Sequence, residues 1–534
     1  MENGKLDTKG IKYKASLAFV LLCSLSAALL VVISSLKYGP GLTHDSAAYM
    51  YAAESLLNGD GFQYFGYPSP FIQWPPLFPV LLALGSLAGL GFGTASTLIN
   101  SLAFALTVFF AGRWMLEKFR YHTLAVGGTF LLFVSVPLLQ VSSYLWTEII
   151  FILLFLLFYI EFERFLRYGR YGSLALAGLF SALACVDRYA GVTIIAATGV
   201  FLLFTKKSIL KRITDAAFYG TISAVPMGLW VLRNYMVSGT LLGVRLPSTF
   251  TLRQNIIRSL QSIYTWVQAD KLLIRHADAL LLYSFKAFAI ILPLIVAVVF
   301  AATLTKSLVK FLATRQLPAE LKQELDRLLP AVFFVFFCGI YIVYLIASAT
   351  SVAFEPINSR YLVPIYLPVI LTLLVAVDYL CERLRIRFGI KFVQFSMCFL
   401  LSLSLVYPAA NSAASVLNSC LNGAGGYAST AWQDKSGFIQ FMKKTEQITY
   451  YSNSADAVYA LSGIRTYYPP KKNGPDMYGL EQFKTAVSGE EYSYIIWFSN
   501  GVPQTLYNLD DISEIFELEE VGNFENGTVF RIVN

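Results

Sequence analysis

Five short groups of ionisable and polar residues stand out in an otherwise apolar sequence. They are His44-Asp45, Glu148, Asp187-Arg188-Tyr189, Arg233-Asn234, and Glu355 with Arg360-Tyr361. Arginine neutralises anions, and a carboxylate can take a proton from a hydroxyl group. Together these residue types suit a site that handles an anionic substrate and transfers a proton. In a membrane protein they are expensive to bury unless they pair with one another or act on a ligand.

Each group also has a simpler structural explanation. Asp45 could be the N-cap of a following helix, and Glu148 could complement the dipole of the helix that it opens, which is worth roughly 0.3–1 kcal/mol. Asp187-Arg188 could be an internal ion pair at the end of a short helix. Arg233 and Arg360 could extend to lipid phosphates. The groups therefore predict a site only if they lie on the same side of the membrane and meet.

The surrounding sequence is that of a polytopic α-helical membrane protein. Of its 534 residues 56% are hydrophobic and 14% charged, which is more apolar surface than a soluble core of this size would hide. Apolar runs of about 20 residues, the length that a helix needs to cross the hydrocarbon layer, recur along the chain, so we expect about eleven transmembrane helices. The predicted spans are 15–36, 95–116, 123–142, 147–167, 173–187, 190–204, 213–235, 283–304, 329–349, 361–380 and 392–410.

Basic residues in alternate gaps between these spans set the expected orientation. The positive-inside rule makes gaps such as 5–14, 206–212 and 383–391 cytoplasmic. The N-terminus then lies inside, residues 411–534 lie outside, and all five polar groups share the outer face. We expect a multi-pass protein of the cell inner (plasma) membrane. The net charge of +8 reflects this topology and gives no reason to expect nucleic acid as a partner.

Two long outer segments and a C-terminal domain complete the predicted architecture. Segment 37–94 is too long for a simple connector, and we expect interfacial helices in it, including one over 45–57. Segment 237–282 mixes basic and aromatic residues, as helices near acidic lipid head groups do, although a solvated connector would also fit. Beyond residue 410 short strand-like runs alternate with helical stretches, which predicts a small extracytoplasmic α/β domain over 411–534.

Seven motifs along the membrane part make the sequence recognisable. In order they are His44-Asp45-Ser46-Ala47-Ala48-Tyr49, Leu57-Asn58-Gly59-Asp60-Gly61-Phe62, Trp74-Pro75-Pro76-Leu77, Trp146-Thr147-Glu148, Asp187-Arg188-Tyr189-Ala190-Gly191, Leu232-Arg233-Asn234 and Arg360-Tyr361-Leu362-Val363-Pro364. The region from about residue 10 to 410 resembles the GT-C superfamily of integral-membrane glycosyltransferases. The similarity lies in the order of these motifs, in their spacing and in their shared location on one side of the membrane. The resemblance is to the family 39-like branch with the protein O-mannosyltransferases and the aminoarabinose lipid A transferase. It implies a GT-C-like transmembrane glycosyltransferase domain over 1–410.

This resemblance implies transfer of a hexosyl or pentosyl group from a polyprenyl-phosphate donor to a glycan, lipid or protein acceptor of the cell envelope, with inversion at the anomeric carbon. Asp45 would be the general base, since burial in a partly dehydrated pocket raises the basicity of a carboxylate. Glu148 would be a second acidic residue that orients the acceptor or the donor sugar. The candidates for binding the donor phosphate are Arg188, Arg233 and Arg360. Further candidates for substrate binding are His44, Tyr49, Tyr64, Trp74, Tyr189, Asn234, Glu355 and Tyr361.

Some assignments stay open at this point. Tyr64 and Trp74 could stack on a sugar or anchor the chain at the membrane interface. No tightly bound cofactor or metal is expected, because the chain has three histidines and no cluster with ligand spacing, although a pair of carboxylates could hold a divalent cation weakly. The alternative function is a transporter or flippase of a lipid-linked anion, which would place polar groups near the bilayer midplane. A third hypothesis is an assembly partner whose C-terminal domain binds an outer-surface polymer or protein.

Overall fold

The protein is a bundle of long helices that ends in a small domain built on a five-stranded sheet. The computed structural model describes residues 2–66, 69–205, 207–266, 319–353, 355–433, 437–444, 448–472, 479–489, 493–499 and 505–533, with scattered positions between 291 and 305. The predicted architecture, helical membrane part and small C-terminal α/β domain, is confirmed.

The described helices of the membrane part follow the apolar runs of the sequence. They are α1 (Glu2–Ser35), α2 (His44–Leu57), α3 (Leu77–Leu87), α4 (Phe92–Lys118), α5 (His122–Phe133), α6 (Val136–Ser142), α7 (Glu148–Tyr168), α8 (Tyr171–Asp187), α9 (Val192–Leu203), α10 (Ile209–Ser238), α11 (Leu252–Thr265), α12 (Ala319–Ser351), α13 (Ser359–Phe388) and α14 (Ile390–Asn422). Helix α4 packs against α1, α5 and α7, and α7 packs against α8.

Several of these helices can cross a membrane. By length and composition five described helices qualify, and six do if the bent pair α5 and α6 forms one span. The helix α7 is 21 residues long but carries charged residues in its last turns, and α8 and α9 are shorter apolar helices. The chain is therefore a multi-pass membrane protein, while the number of about eleven spans stays a prediction. The span predicted at 283–304 lies largely outside the described residues.

The first outer segment forms α2, the short strands β1 (Gln63–Tyr64) and β2 (Ser69–Pro70), and α3. The sequence predicts a helix over 45–57 that lies along the membrane surface. The structure has the helix, but its residues 46–53 are all buried. Small side chains explain the difference, because alanines on both faces of α2 let α3 and the C-terminal domain pack closely against it. In the second outer segment α11 is a helix, and residues 267–282 lie outside the described part.

The C-terminal domain contains the strands β3 (Thr449–Ser452), β4 (Thr466–Tyr467), β5 (Ser493–Phe498), β6 (Glu517–Phe524) and β7 (Gly527–Val533), and the helices α15 (Thr430–Gln433), α16 (Gly437–Met442), α17 (Ala455–Ser462), α18 (Leu480–Ser488) and α19 (Leu509–Ser513). The sheet order is β4-β3-β5-β7-β6, with β3 parallel to β4 and β5, and β7 antiparallel to both neighbours. The strands predicted near 448–452, 494–498 and 528–533 are β3, β5 and β7.

The C-terminal domain rests directly on α2. Helix α14 continues past the expected end at residue 410 to Asn422, and the segment 423–426 then passes Leu42, where the backbones pair. Helix α17 packs on α2, and the Tyr459 hydroxyl donates a hydrogen bond to Glu54 Oε2 over 2.6 Å. The N-terminus of α2 is consequently held between the membrane helices and the C-terminal domain.

Candidate active site

The N-terminus of α2 places Asp45. Thr43, rather than Asp45, is the N-cap residue of the helix, and its backbone N–H donates to Ser46 Oγ over 3.0 Å. The Thr43 hydroxyl accepts a hydrogen bond of 2.9 Å from the Trp146 indole N–H, and the Ser46 hydroxyl donates to the Leu145 carbonyl over 3.0 Å. Because other residues cap α2 and fasten it to the segment before α7, the Asp45 side chain is left for another role.

Asp45 belongs to a chain of four charged side chains. Arg360 Nη2 lies 2.6 Å from Asp45 Oδ2, and Arg360 Nε donates to Glu148 Oε1 over 2.6 Å. Arg188 Nη1 lies 2.6 Å from the same oxygen of Glu148. Glu148 is completely buried, and buried carboxylates are found paired with cations in this way. Arg360 thus bridges the two carboxylates, and Arg188 closes the chain.

Different elements bring the two arginines to this point. Arg188 follows the last residue of α8 in an extended conformation, and residues 189–191 turn the chain into α9. Gly191 permits that tight turn, since a Cβ there would lie 2.5 Å from the backbone of Cys185. Arg360 lies in the first turn of α13, where its backbone N–H donates to Asn358 Oδ1 over 3.0 Å. Its guanidinium stacks on the Trp146 ring at 4.0 Å from the centroid.

Two cavities meet at Asp45. The larger, of about 810 Å³, is lined by Arg188, Arg245 and Arg360 together with aromatic and apolar side chains of α12. The smaller, of about 240 Å³, is lined by polar side chains that include Gln140, Glu355, Asn358 and Ser359. His44, Asp45, Glu355 and Arg360 line both. The carboxylate of Asp45 therefore lies between a larger compartment that contains three arginines and a smaller, polar one that shares Arg360 with it.

The charges around Asp45 control its protonation. Burial opposes ionisation, but the cations of Arg360, His44 and Arg188 outweigh it and hold the pKa of Asp45 below its ordinary value. The raised basicity expected from the sequence is thus wrong. The physical reason is the direct ion pair with Arg360, which the sequence does not reveal.

Most of the predicted site residues do come together. His44, Asp45, Glu148, Arg188 and Arg360 form the cluster or touch it, and further predicted residues line the larger cavity: Tyr49, Trp74, Tyr189, Glu355 and Tyr361. Tyr64 lines a separate cavity of about 120 Å³, and its hydroxyl lies 2.9 Å from His44 Nε2.

Arg233 and Asn234 are not brought into the cluster. Arg233 donates hydrogen bonds to the carbonyls of Phe71, over 2.9 Å, and Phe62, over 3.1 Å, so it fastens the first outer segment to α10. Asn234 Nδ2 donates to the Leu241 carbonyl over 3.2 Å. Both side chains thus bind protein backbone, and neither lines the two cavities that meet at Asp45.

Arg245 is the cation that the sequence analysis missed. It lines the larger cavity and donates a hydrogen bond of 3.3 Å to the Gln73 carbonyl. It occurs in a basic, aromatic-rich segment, and that composition suggested contact with lipid head groups instead. Only the folded position of the segment, in the lining of the larger cavity, distinguishes the two roles.

Asp187 does not form the ion pair with Arg188 that the sequence allowed. Arg188 turns to Glu148 and also donates to Thr147 Oγ1 over 2.8 Å. Asp187 is 1% exposed, lines the larger cavity, and neither of its carboxylate oxygens has a hydrogen-bond partner among the described residues. Within the same residues no group of three His, Cys, Asp or Glu side chains is arranged to hold a metal ion. Asp45 and Glu148 instead share the guanidinium of Arg360.

Comparison with known proteins shows what this architecture resembles. Neither a protein-family model nor a curated protein matches the sequence. ArnT from Cupriavidus metallidurans in the apo state is 12% identical, with a TM-score of 0.57 over 96% of this chain and 97% of that one. The same protein bound to undecaprenyl phosphate is 11% identical, with a TM-score of 0.59 over the same shares, 96% and 97%.

A third solved structure agrees with these two. The arabinofuranosyltransferase AftD from Mycobacteria is 12% identical, with a TM-score of 0.52 over 97% of this chain and 40% of that one. The chain therefore has the fold of the GT-C glycosyltransferases, and the resemblance drawn from the sequence motifs is confirmed at the level of the fold. The likeness to ArnT extends beyond the motif-bearing region 10–410 and takes in the C-terminal domain.

Proposed function

We propose that this protein transfers a sugar from a polyprenyl-phosphate donor to an acceptor at the outer face of the inner (plasma) membrane, with inversion at the anomeric carbon. The observation that carries the proposal is the chain of ion pairs from Asp45 through Arg360 and Glu148 to Arg188, placed where two cavities meet. A carboxylate between a compartment that contains three arginines and a smaller polar one matches a reaction in which a hydroxyl loses a proton and an anion departs.

The larger cavity suits the donor. Arg188, Arg245 and Arg360 line it beside apolar side chains such as Leu345 and Val352, so it offers cations for a phosphate and hydrocarbon for the start of a prenyl chain. ArnT, which shares this fold, has been solved with undecaprenyl phosphate bound. That structure supports a lipid phosphate as the donor carrier here.

The smaller cavity suits the acceptor. Gln140, Asn358 and Ser359 offer amide and hydroxyl groups that can hydrogen-bond a sugar, lipid or protein hydroxyl. Asp45 lines both cavities, so an acceptor hydroxyl in the smaller one can reach it while the donor occupies the larger one.

The proposed reaction then assigns a task to each charged residue. The acceptor oxygen attacks C1 of the sugar from the face opposite the phosphate, and its proton passes to Asp45. The bond from C1 to the phosphate oxygen breaks, and the phosphate leaves with the electron pair, neutralised by Arg188, Arg245 and Arg360. Glu148 touches no substrate in this scheme, since it orients the guanidinium groups of Arg188 and Arg360.

Donor binding would also adjust the basicity of Asp45. In the structure Arg360 holds the pKa of Asp45 below its ordinary value, as in a weak base. When a donor phosphate draws the guanidinium towards itself, the pKa of Asp45 rises, because burial is then less compensated. The base would thus become effective only with donor in place.

The experiment that tests the proposal is a transfer assay on the full chain in nanodiscs. Labelled polyprenyl-phosphate sugars are offered with cell-envelope extract as acceptor, and the wild type is compared with Asp45→Asn. Asp60→Asn is the matched control, because it makes the same change at an exposed position of the same outer segment. We expect transfer from one donor by the wild type and the control, and a loss of at least about 100-fold in Asp45→Asn.

Two results would contradict the proposal. Near-normal transfer by Asp45→Asn would remove Asp45 from the role of base. Absence of transfer with every donor, together with movement of labelled donor across proteoliposomes, would favour a transporter or flippase.

A further inference from the structure

A contact between His44 and Asp456 joins the C-terminal domain to the wall of both cavities. His44 Nδ1 lies 3.1 Å from Asp456 Oδ2, although the two residues are 412 positions apart in the chain. The Tyr427 hydroxyl donates to the same carboxylate oxygen over 2.6 Å. On the other side of the ring, His44 Nε2 lies 2.9 Å from the Tyr64 hydroxyl. Both ring nitrogens are engaged, so the orientation of the imidazole is fixed.

The buried carboxylate of Asp456 needs a positive partner. Asp456 is 8% exposed, and ionising a carboxyl at such a position without a cation is costly. Tyr427 supplies a hydrogen bond but no charge. The imidazolium form of His44 supplies this charge. His44 precedes Asp45 in the sequence and lines both cavities.

The groups that face His44 from each neighbouring element favour this charged form. Asp456 comes from α17, Asp45 from the helix of His44 itself, and Glu355 from the segment before α13. The phenolic groups near the pair belong to Tyr64, Tyr427 and Tyr468. Burial opposes the charge on His44, but the hydrogen bond and charge of Asp456, with Asp45 and Glu355, raise the pKa of His44 above its ordinary value.

We propose that Asp456 of the C-terminal domain is a positioning residue for sugar transfer, which holds the His44 imidazolium beside Asp45 where the donor phosphate departs. The inference rests on the proposed function and deepens it. It adds a fourth cation to the anion-binding wall, one whose charge depends on the C-terminal domain. That domain then completes the site, and a chain without it would lack the charge on His44 even with its membrane helices intact.

The first test measures the protonation of His44 directly. The chain has three histidines, so histidine-labelled protein in nanodiscs gives few NMR signals, and His44→Gln identifies the relevant one. We expect the pKa of His44 to fall by roughly one unit or more in Asp456→Asn, since an adjacent opposite charge raises a cationic pKa by that order. An unchanged pKa in this variant would overturn the proposal.

Tyr459→Phe is the matched control for this test. It removes the other polar contact between α17 and α2, the hydrogen bond to Glu54 Oε2 of 2.6 Å, and leaves His44 and Asp456 untouched. We expect the pKa of His44 to stay at the wild-type value. Equal falls in both variants would mean that loosened docking, and not the Asp456 charge, controls His44.

The second test is the pH profile of kcat/KM in the transfer assay. Wild-type activity should decline on the alkaline side as His44 loses its proton, and in Asp456→Asn that decline should move to lower pH by the shift seen in the NMR titration. Tyr459→Phe should leave its position unchanged. If Asp456→Asn and Tyr459→Phe lower activity equally without moving the profile, Asp456 is only a docking contact and the proposal fails. A wild type that transfers no sugar would instead overturn the proposed function, while the NMR comparison would still decide whether Asp456 sets the charge of His44.

Discussion

Arg360 is the side chain on which the charge balance of the site depends. It bridges Asp45 and Glu148, each over 2.6 Å, and its guanidinium also stacks on Trp146. A guanidinium presents several donors in one plane, whereas a lysine offers a single charged point. One arginine can therefore hold two carboxylates of different helices in a fixed relation, and a lysine at the same position cannot.

Replacing Arg360 should change both the rate and its pH dependence. In Arg360→Lys the bridge is lost, so we expect kcat/KM to fall by about 10- to 100-fold. Burial of Asp45 is then less well compensated, and the pKa of Asp45 rises from its present position below the ordinary 3.8. Activity needs the ionised carboxylate, so the loss of activity on the acid side should begin at a higher pH than in the wild type. The pH profile of kcat/KM measures this shift.

Arg233→Lys is the control for this prediction. Arg233 binds backbone carbonyls of the first outer segment, so its replacement should lower the melting temperature and leave the acid limb where it is. A wild-type rate and an unmoved acid limb in Arg360→Lys would show that Arg360 does not control Asp45.

At the residue scale, the sequence predicted which charged residues belong to the site better than it predicted the groups with which each of them pairs. Asp45, Glu148, Arg188 and Arg360 were identified from motifs and shared sidedness, and the structure brings them into one chain of ion pairs. Arg233 shared every one of those sequence properties but turns to the backbone. Which way a guanidinium points depends on the packing of α10, which the sequence pattern does not specify.

At the scale of elements, the segment 423–426 between α14 and the C-terminal domain determines how that domain meets α2. Gly426 has a φ of 59°, in the left-handed region, and a Cβ on it would lie 1.9 Å from the Leu42 carbonyl oxygen. Its neighbour Tyr427 donates its backbone N–H to that same oxygen over 2.9 Å. Only glycine allows the two backbones to approach so closely.

Gly426→Ala should therefore weaken docking of the C-terminal domain. We expect a loss of roughly 1–3 kcal/mol in stability from the left-handed backbone alone, with further loss because Leu42 must move. Tyr427 would shift away from Asp456, so transfer activity should fall as well. Thermal unfolding in detergent and the transfer assay measure the two effects.

Gly199→Ala is the matched control. Gly199 lies inside α9, and no atom lies within 4 Å of the Cβ that alanine would add. Alanine is the better helix former by up to about 1 kcal/mol, so the melting temperature should stay the same or rise slightly. A Gly426→Ala protein as stable and active as this control would show that the close approach at Leu42 is not needed.

The positions of the helices and strands were predicted more reliably than the way in which they pack and bend. Apolar runs and basic gaps placed the helices, and alternation placed the strands β3, β5 and β7. The burial of α2 was not predictable, because its partner α17 comes from the distant C-terminal domain and its alanine-rich surface is compatible with either lipid or protein. The bend between α5 and α6, of 45°, was likewise hidden within one continuous apolar run predicted as a single span.

At the scale of the whole molecule, the long-range contacts join parts that the sequence presents as separate domains. His44 pairs with Asp456 and Glu54 with Tyr459, both across more than 400 positions. Motifs within the first 410 residues carried the predicted site, and nothing in residues 411–534 signalled a contribution to it. The C-terminal domain therefore belongs to the candidate active site in space, although no local pattern in its sequence marks it.

Because the membrane helices and the C-terminal domain share the candidate active site, the orientation of one in the membrane determines that of the other. If the cavities open at the outer face, the C-terminal domain must lie there too, because Asp456 touches the cavity wall. A cysteine introduced by Ser513→Cys, at an exposed position of the C-terminal domain, should react with a membrane-impermeant maleimide added from outside. Ser208→Cys, exposed in the basic gap 206–212 that is predicted to be cytoplasmic, is the matched control and should react only after the membrane is permeabilised. If the second cysteine reacts from outside and the first does not, the topology is the inverse of the predicted one and the donor site lies on the cytoplasmic side.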